Sequence, residues 1–144
     1  MKRRPPRLFL NGSIHWLYYS HKEHYRESIL TFDLKERRFS KISLPEQLSR
    51  HGLTTIVTLG GYLALYYQDF VERKTHIWVM KEYKVNSSWT LYEIPCLRFE
   101  PLCLSNDSDI IALDPTTPVF GPLKFAKYNI REELLQHFTC PRDF

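Results

Sequence analysis

Gly12-Ser13-Ile14-His15-Trp16-Leu17 returns as Gly60-Gly61-Tyr62-Leu63-Ala64-Leu65 and again as Ser108-Asp109-Ile110-Ile111-Ala112-Leu113, at steps of 48 residues. Each copy is a small or polar turn followed by an apolar run. The next element keeps the step: Ile29-Leu30-Thr31-Phe32 matches Ile77-Trp78-Val79-Met80 and then Phe125-Ala126-Lys127-Tyr128. One face of it reads Leu30, Trp78, Ala126 and then Phe32, Met80, Tyr128. A further element runs from Phe39 to Pro45, from Trp89 to Pro95 and from Leu135 to Pro141, at steps of 50 and 46. The two extra residues of the middle copy fall in the turn Tyr83–Ser88, where insertion is tolerated. Leu8, Ile56 and Leu104 open the units on short strands of their own.

Four short strands per unit, separated by turn signals, predict an all-β antiparallel domain. A period of this length with four strands is that of a propeller blade. The expectation is a single domain over residues 1–144 with blades at about 7–45, 54–95 and 101–141. Runs such as Ile14–Tyr19 and Tyr62–Tyr67, read as inner strands, are apolar on both faces, as strands covered on both sides should be. Arg131–His137 has good local helix propensity, but the repeat register makes it a turn and a fourth strand. Three blades are too few for a ring, since propellers close with about four to eight. The prediction is a partial or open propeller whose first and last units keep an apolar outer face.

Composition agrees with an ordinary folded domain: 43% hydrophobic, 15% aromatic and 25% charged residues. The formal charge is +4, and Lys2, Arg3, Arg4 and Arg7 account for it, so nucleic acid is not an expected partner beyond this basic head. Cys96, Cys103 and Cys140 are an odd set without a C-x-x-C pair, which predicts reduced thiols in the cytoplasm or nucleus. Met1 is followed by charge and by Pro5-Pro6, so neither a secretion signal nor a membrane span is expected. Asn11, Asn86 and Asn106 open Asn-x-Ser sequons that then serve only as turn residues.

Several of these residues resemble the plant F-box-associated domain. They are Asn11-Gly12-Ser13-Ile14-His15-Trp16-Leu17, Ile29-Leu30-Thr31-Phe32-Asp33-Leu34 with Phe39 and Leu44-Pro45, and Leu59-Gly60-Gly61-Tyr62-Leu63. The most specific run is Ile77-Trp78-Val79-Met80-Lys81-Glu82-Tyr83 followed by Ser88-Trp89-Thr90; Lys127-Tyr128-Asn129 with Glu133-Leu134-Leu135 resembles the family's last blade motif. Lys84 stands where the family often has Gly, which should alter only a turn. The family's F-box, the segment that docks a Skp-type adaptor and through it a cullin, is not found. Ser43-Leu44-Pro45-Glu46-Gln47-Leu48 mimics its opening but lies inside the repeat.

The resemblance implies a protein-interaction module, the substrate-recognition part of a ubiquitin-ligase receptor or a truncated remnant of one. Its partner would be a protein substrate, with adaptor and cullin met only indirectly or in a fuller form. The alternative is a kelch-like propeller lectin or enzyme fragment, which requires a ligand cluster or an aromatic pocket. His21 and His24 invite a zinc reading but lack companion ligands. His15 reads as a core histidine satisfied by a backbone carbonyl, and Cys103 and Cys140 as inert thiols. Trp16, Trp78 and Trp89 read as blade-to-blade packing. No catalytic, cofactor or metal residue is expected, and the residues that contact a substrate protein are not readable from the sequence.

Overall fold

The computed structural model describes residues 7–20, 26–48, 54–106, 108–116, 122–129, 131 and 133–139. Among them lie three separate four-stranded antiparallel sheets and no α-helix. Sheet 1 holds β1 (Arg7–Leu10), β2 (Ser13–Ser20), β3 (Arg26–Asp33) and β4 (Arg38–Ile42). Sheet 2 holds β5 (Thr55–Leu59), β6 (Tyr62–Asp69), β7 (Lys74–Met80) and β8 (Trp89–Ile94). Sheet 3 holds β9 (Glu100–Ser105), β10 (Asp109–Leu113), β11 (Lys124–Tyr128) and β12 (Leu134–Thr139). Each sheet is a meander in chain order, and the sheets do not close into a ring. The strands that converge are the first of each sheet, β1 beside β5 and β5 beside β9. Hence β2 and β6 are second strands rather than the innermost ones.

The third and fourth strands keep the steps expected from the repeat, but the first hairpin does not. Leu10 pairs with Ser13, and Leu59 with Tyr62, around two-residue turns; Ser105 pairs with Asp109 around three residues. Through the ladder, Ile14, Leu63 and Ile110 therefore share one place, as they pair with Phe32, Met80 and Tyr128. Their steps are 49 and 47, not an even 48. The first strands correspond as Leu8, Val57 and Cys103, where the even step had matched Leu8 with Ile56 and Leu104. A slip of one residue moves a side chain to the opposite face, and turn length decides it. Asn11 and Gly12 (φ 50° and 75°) and Gly60 and Gly61 (φ 58° and 81°) are left-handed at both central positions, the geometry that matches strand twist. At Gly60 a Cβ would also lie 3.4 Å from the Leu104 side chain of sheet 3.

Two apolar layers hold the sheets together. Leu17, Ile29 and Ile42 of sheet 1 meet Ile56, Leu63, Leu65, Tyr67, Trp78 and Met80 of sheet 2. From its other face, sheet 2 sends Ala64, Ile77, Val79 and Tyr92 against Ile110, Ala112, Ala126 and Tyr128 of sheet 3. Thr75 through Met80 are all buried, because β7 is covered on both sides. At about 1.5–3 kcal/mol for each large apolar side chain removed from water, this alternation makes sheet 2 the centre of stability. The segment with helix propensity, Arg131–His137, contributes Leu134–His137 to β12, paired along β11. A ladder of backbone hydrogen bonds outweighs a propensity difference of a few tenths of a kcal/mol per residue.

Sheets 1 and 3 each turn outward a face that carries an apolar row. Phe9, Ile14, Phe32 and Phe39 form a row across sheet 1, with Phe9 62% and Phe39 66% exposed. Leu113, Phe125 and Phe138 form a row across sheet 3.

Candidate interaction site

Two loops from different sheets meet at the rim between sheets 1 and 2. The connection after β4 turns at Pro45, whose carbonyl accepts the Leu48 N–H at 3.1 Å, while Leu44 and Leu48 pack onto the core between the sheets. The F-box-like phrase is therefore a turn seated on the blade. The other loop runs from β7 to β8 through a 3-10 turn at Asn86–Ser88. Ser88 shapes it: its Oγ accepts the Glu82 N–H at 3.0 Å and lies 2.8 Å from the Glu82 carbonyl oxygen. Trp89 follows, and its Nε1 donates to the Ser43 carbonyl at 3.0 Å, tying the two loops together.

Between them lies a cleft of about 330 Å³ lined by Pro45, Glu46, Gln47, Asn86, Ser87 and Trp89. Its apolar walls are a proline ring and a fixed indole; its rim offers two amides, a hydroxyl and a carboxylate. An aromatic anchor within a polar rim is the composition of an interaction surface. The lining thus sets hydrogen-bonding groups beside two apolar walls.

The M-K-E-Y motif beside this loop has structural duties. Met80 is in the core. Lys81 places its ammonium 5.0 Å from the Tyr62 ring centre and 5.5 Å from that of Tyr92, a geometry favourable to cation–π attraction. Tyr83 donates to His15 Nε2 at 2.6 Å, and the opposite ring nitrogen, Nδ1, donates to the Ser13 carbonyl at 3.0 Å. Burial, chiefly, lowers the pKa of His15, and burial followed by the Asp33 charge raises that of Tyr83. His15 is thus a neutral imidazole joining two sheets. Lys84 adopts φ 63°, a left-handed position at which glycine is unstrained.

Sequence reading missed a second polar cluster. Tyr67, His76 and Glu93 are cross-strand neighbours on β6, β7 and β8. The Tyr67 hydroxyl is 3.1 Å from His76 Nδ1, and His76 Nε2 lies 3.4 Å from Asp69 Oδ2 and 3.9 Å from Glu93 Oε1. Lys74 pairs with Glu93 at 3.1 Å. Asp69 also accepts the Val71 and Glu72 N–H groups, as Asp33 accepts those of Lys35 and Glu36. The signal was present as Asp33-Leu34-Lys35-Glu36-Arg37 and Asp69-Phe70-Val71-Glu72-Arg73, each an Asx-type turn ending in a left-handed arginine. The cluster fixes a hairpin and is largely buried between sheets.

The remaining candidates are scattered. Trp78 is buried between sheets 1 and 2, whereas Trp16 lies on the outer face of sheet 1, half-buried. Cys103 is half-buried on β9. Cys96 Sγ lies 4.0 Å from the Tyr128 hydroxyl, whose pKa is pushed up to about 12 by burial and by that thiol. His21, His24 and Cys140 lie outside the described residues. Among the described residues no three His, Cys, Asp or Glu side chains are grouped to hold a metal ion.

Comparison with known proteins agrees with this architecture. None of the curated proteins compared matches the chain. Among solved structures, the beta-propeller domain of the trilobed protease from Pyrococcus furiosus, described as having an open velcro topology, superposes with a TM-score of 0.52 at 15% identity. The match covers 95% of this chain and 42% of that one, so the chain spans less than half of that propeller's length. At this identity the likeness shows the fold alone. A family model of the F-box associated beta propeller domain matches residues 2–116. The chain belongs to the F-box associated beta propeller domain family.

Proposed function

We propose that the chain is a protein-interaction module that recognises a protein substrate through the cleft between Pro45 and Trp89. The observation that carries this reading is the anchoring of Trp89 by Ser43 across two sheets, which holds an aromatic wall rigid beside the adaptable polar groups Glu46, Gln47, Asn86 and Ser87. Rigid strands presenting variable loops are the usual bearers of binding function. In the family context, the substrate would be recruited for ubiquitination, with adaptor and cullin engaged by another segment or chain. The work would take place in the cytoplasm or nucleus, and the domain itself would perform no catalysis.

A photo-crosslinking residue placed at Gln47 tests the site directly. It should capture a defined protein from plant cell extract, and Trp89→Ala should abolish that capture. The same probe at Val71, which is 79% exposed and outside the cleft, should capture nothing comparable. Equal capture at both positions, or capture indifferent to Trp89, would overturn the reading.

A further inference from the structure

The outer face of sheet 1 has a defined place in the repeat. Its row Phe9, Ile14, Phe32 and Phe39 corresponds through the ladders to Thr58, Leu63, Met80 and Trp89 of sheet 2. The second row, Arg7, Trp16, Leu30 and Lys41, corresponds in the same way to Ile56, Leu65, Trp78 and Leu91. In sheet 2 those positions, apart from the exposed Thr58, are the ones that pack on sheet 1. The uncovered face of sheet 1 is therefore shaped to lie on a preceding sheet.

The outer face of sheet 3 has the complementary place. Its row Leu113, Phe125 and Phe138 corresponds to Leu17, Ile29 and Ile42 of sheet 1 and to Tyr66, Ile77 and Tyr92 of sheet 2. In sheets 1 and 2 these positions receive the following sheet, and Ile29 and Ile77 are fully buried as a result. In sheet 3 the row is left part-exposed, with Phe138 at 36%. One face that packs forward and one that packs backward thus stand open on the same chain, both continuing an interface that the chain already makes twice.

We infer that two copies of this chain close a single ring of six sheets, sheet 1 of each packing on sheet 3 of the other. Six lies within the four to eight blades at which propellers close. Since one copy spans 42% of a solved propeller chain, two supply most of such a ring. The contact is heterologous, one kind of face on the other, and it ends at two copies because the ring is then complete. Burial of the exposed Phe39 and Phe138 rings drives it, since association removes their apolar surface from water.

Light scattering after size exclusion tests the inference. The chain should run at twice its 17.3 kDa. Phe39→Asp and Phe138→Asp should each reduce it to one copy with an unchanged far-ultraviolet spectrum, while Val71→Asp should leave the pair intact. A single-copy wild type would overturn the inference. So would open polymers, or loss of the pair by Phe39→Asp alone, which would mean sheet 1 packing on itself. Should either variant misfold, hydrogen exchange of the wild type decides: protection must rise together in β4 and β12 between dilute and concentrated samples, and a rise in neither or only one sinks the ring.

Discussion

The Tyr83 hydroxyl donates to Nε2 of His15 at 2.6 Å, across 68 positions of sequence and from one sheet to the next. Because His15 also donates from Nδ1 to the Ser13 carbonyl, its tautomer is fixed and both ring nitrogens are satisfied. Tyr83→Phe removes the donor and leaves a buried acceptor without a partner. A loss of about 1–3 kcal/mol is expected, read as a lower urea midpoint with an unchanged slope. A wild-type midpoint in the variant would show that the bond contributes nothing.

The same histidine makes stability depend on pH. Its folded pKa lies below the ordinary 6.5, so the folded state resists protonation more than the unfolded chain does. His15 therefore costs nothing above the unfolded pKa and subtracts stability as pH falls below about 6.5, until the folded pKa is passed. Urea midpoints measured at pH 7.5 and 5.5 should fall more steeply for the wild type than for His15→Gln. Parallel declines would remove His15 as the cause.

Lys84 holds φ 63° in the turn after the M-K-E-Y run. A left-handed non-glycine residue costs about 1–2 kcal/mol, whereas a glycine adds roughly 0.4–1 kcal/mol of unfolded-state entropy. The strain outweighs the entropy, so Lys84→Gly should stabilise the fold by about 0.5–1 kcal/mol. Calorimetry should show a higher Tm; a lower one would mean that the lysine contributes contacts beyond its turn.

Ile77 and Ile14 are both strand isoleucines, one fully buried between sheets 2 and 3 and one half-buried on the outer face of sheet 1. Ile77→Ala should cost about 2–5 kcal/mol, the range for a core truncation, and Ile14→Ala far less at dilutions where the chain is a single copy. Equal losses by chemical denaturation would mean that the outer face is covered within one copy.

Much of this fold is legible in the residues. Ile29, Ile77 and Phe125 recur at an even step because each is the same point of the same strand, and a strand tolerates no insertion without flipping its faces. The first hairpin was less legible. Asn11-Gly12 and Gly60-Gly61 look offset by one against the run that follows, and only the cross-strand pairing shows which residue of each turn is equivalent. The site was hidden for a related reason. Pro45 and Trp89 are far apart in the chain, and nothing in either segment announces that Ser43 and Trp89 share a hydrogen bond.

Apolar runs and turn residues recurring at a step near 48 by themselves determined the twelve-strand plan among the described residues, the three-fold repeat and the two open faces, because strand period and turn chemistry are local. Tertiary structure alone decided which faces meet. Trp78 and Met80 point to sheet 1, and Ile77 and Val79 to sheet 3, although all four read alike in sequence. It also brought a proline and a tryptophan from neighbouring sheets to one cleft, since packing between sheets depends on hairpin register and on where loops return, neither of which is written within one strand.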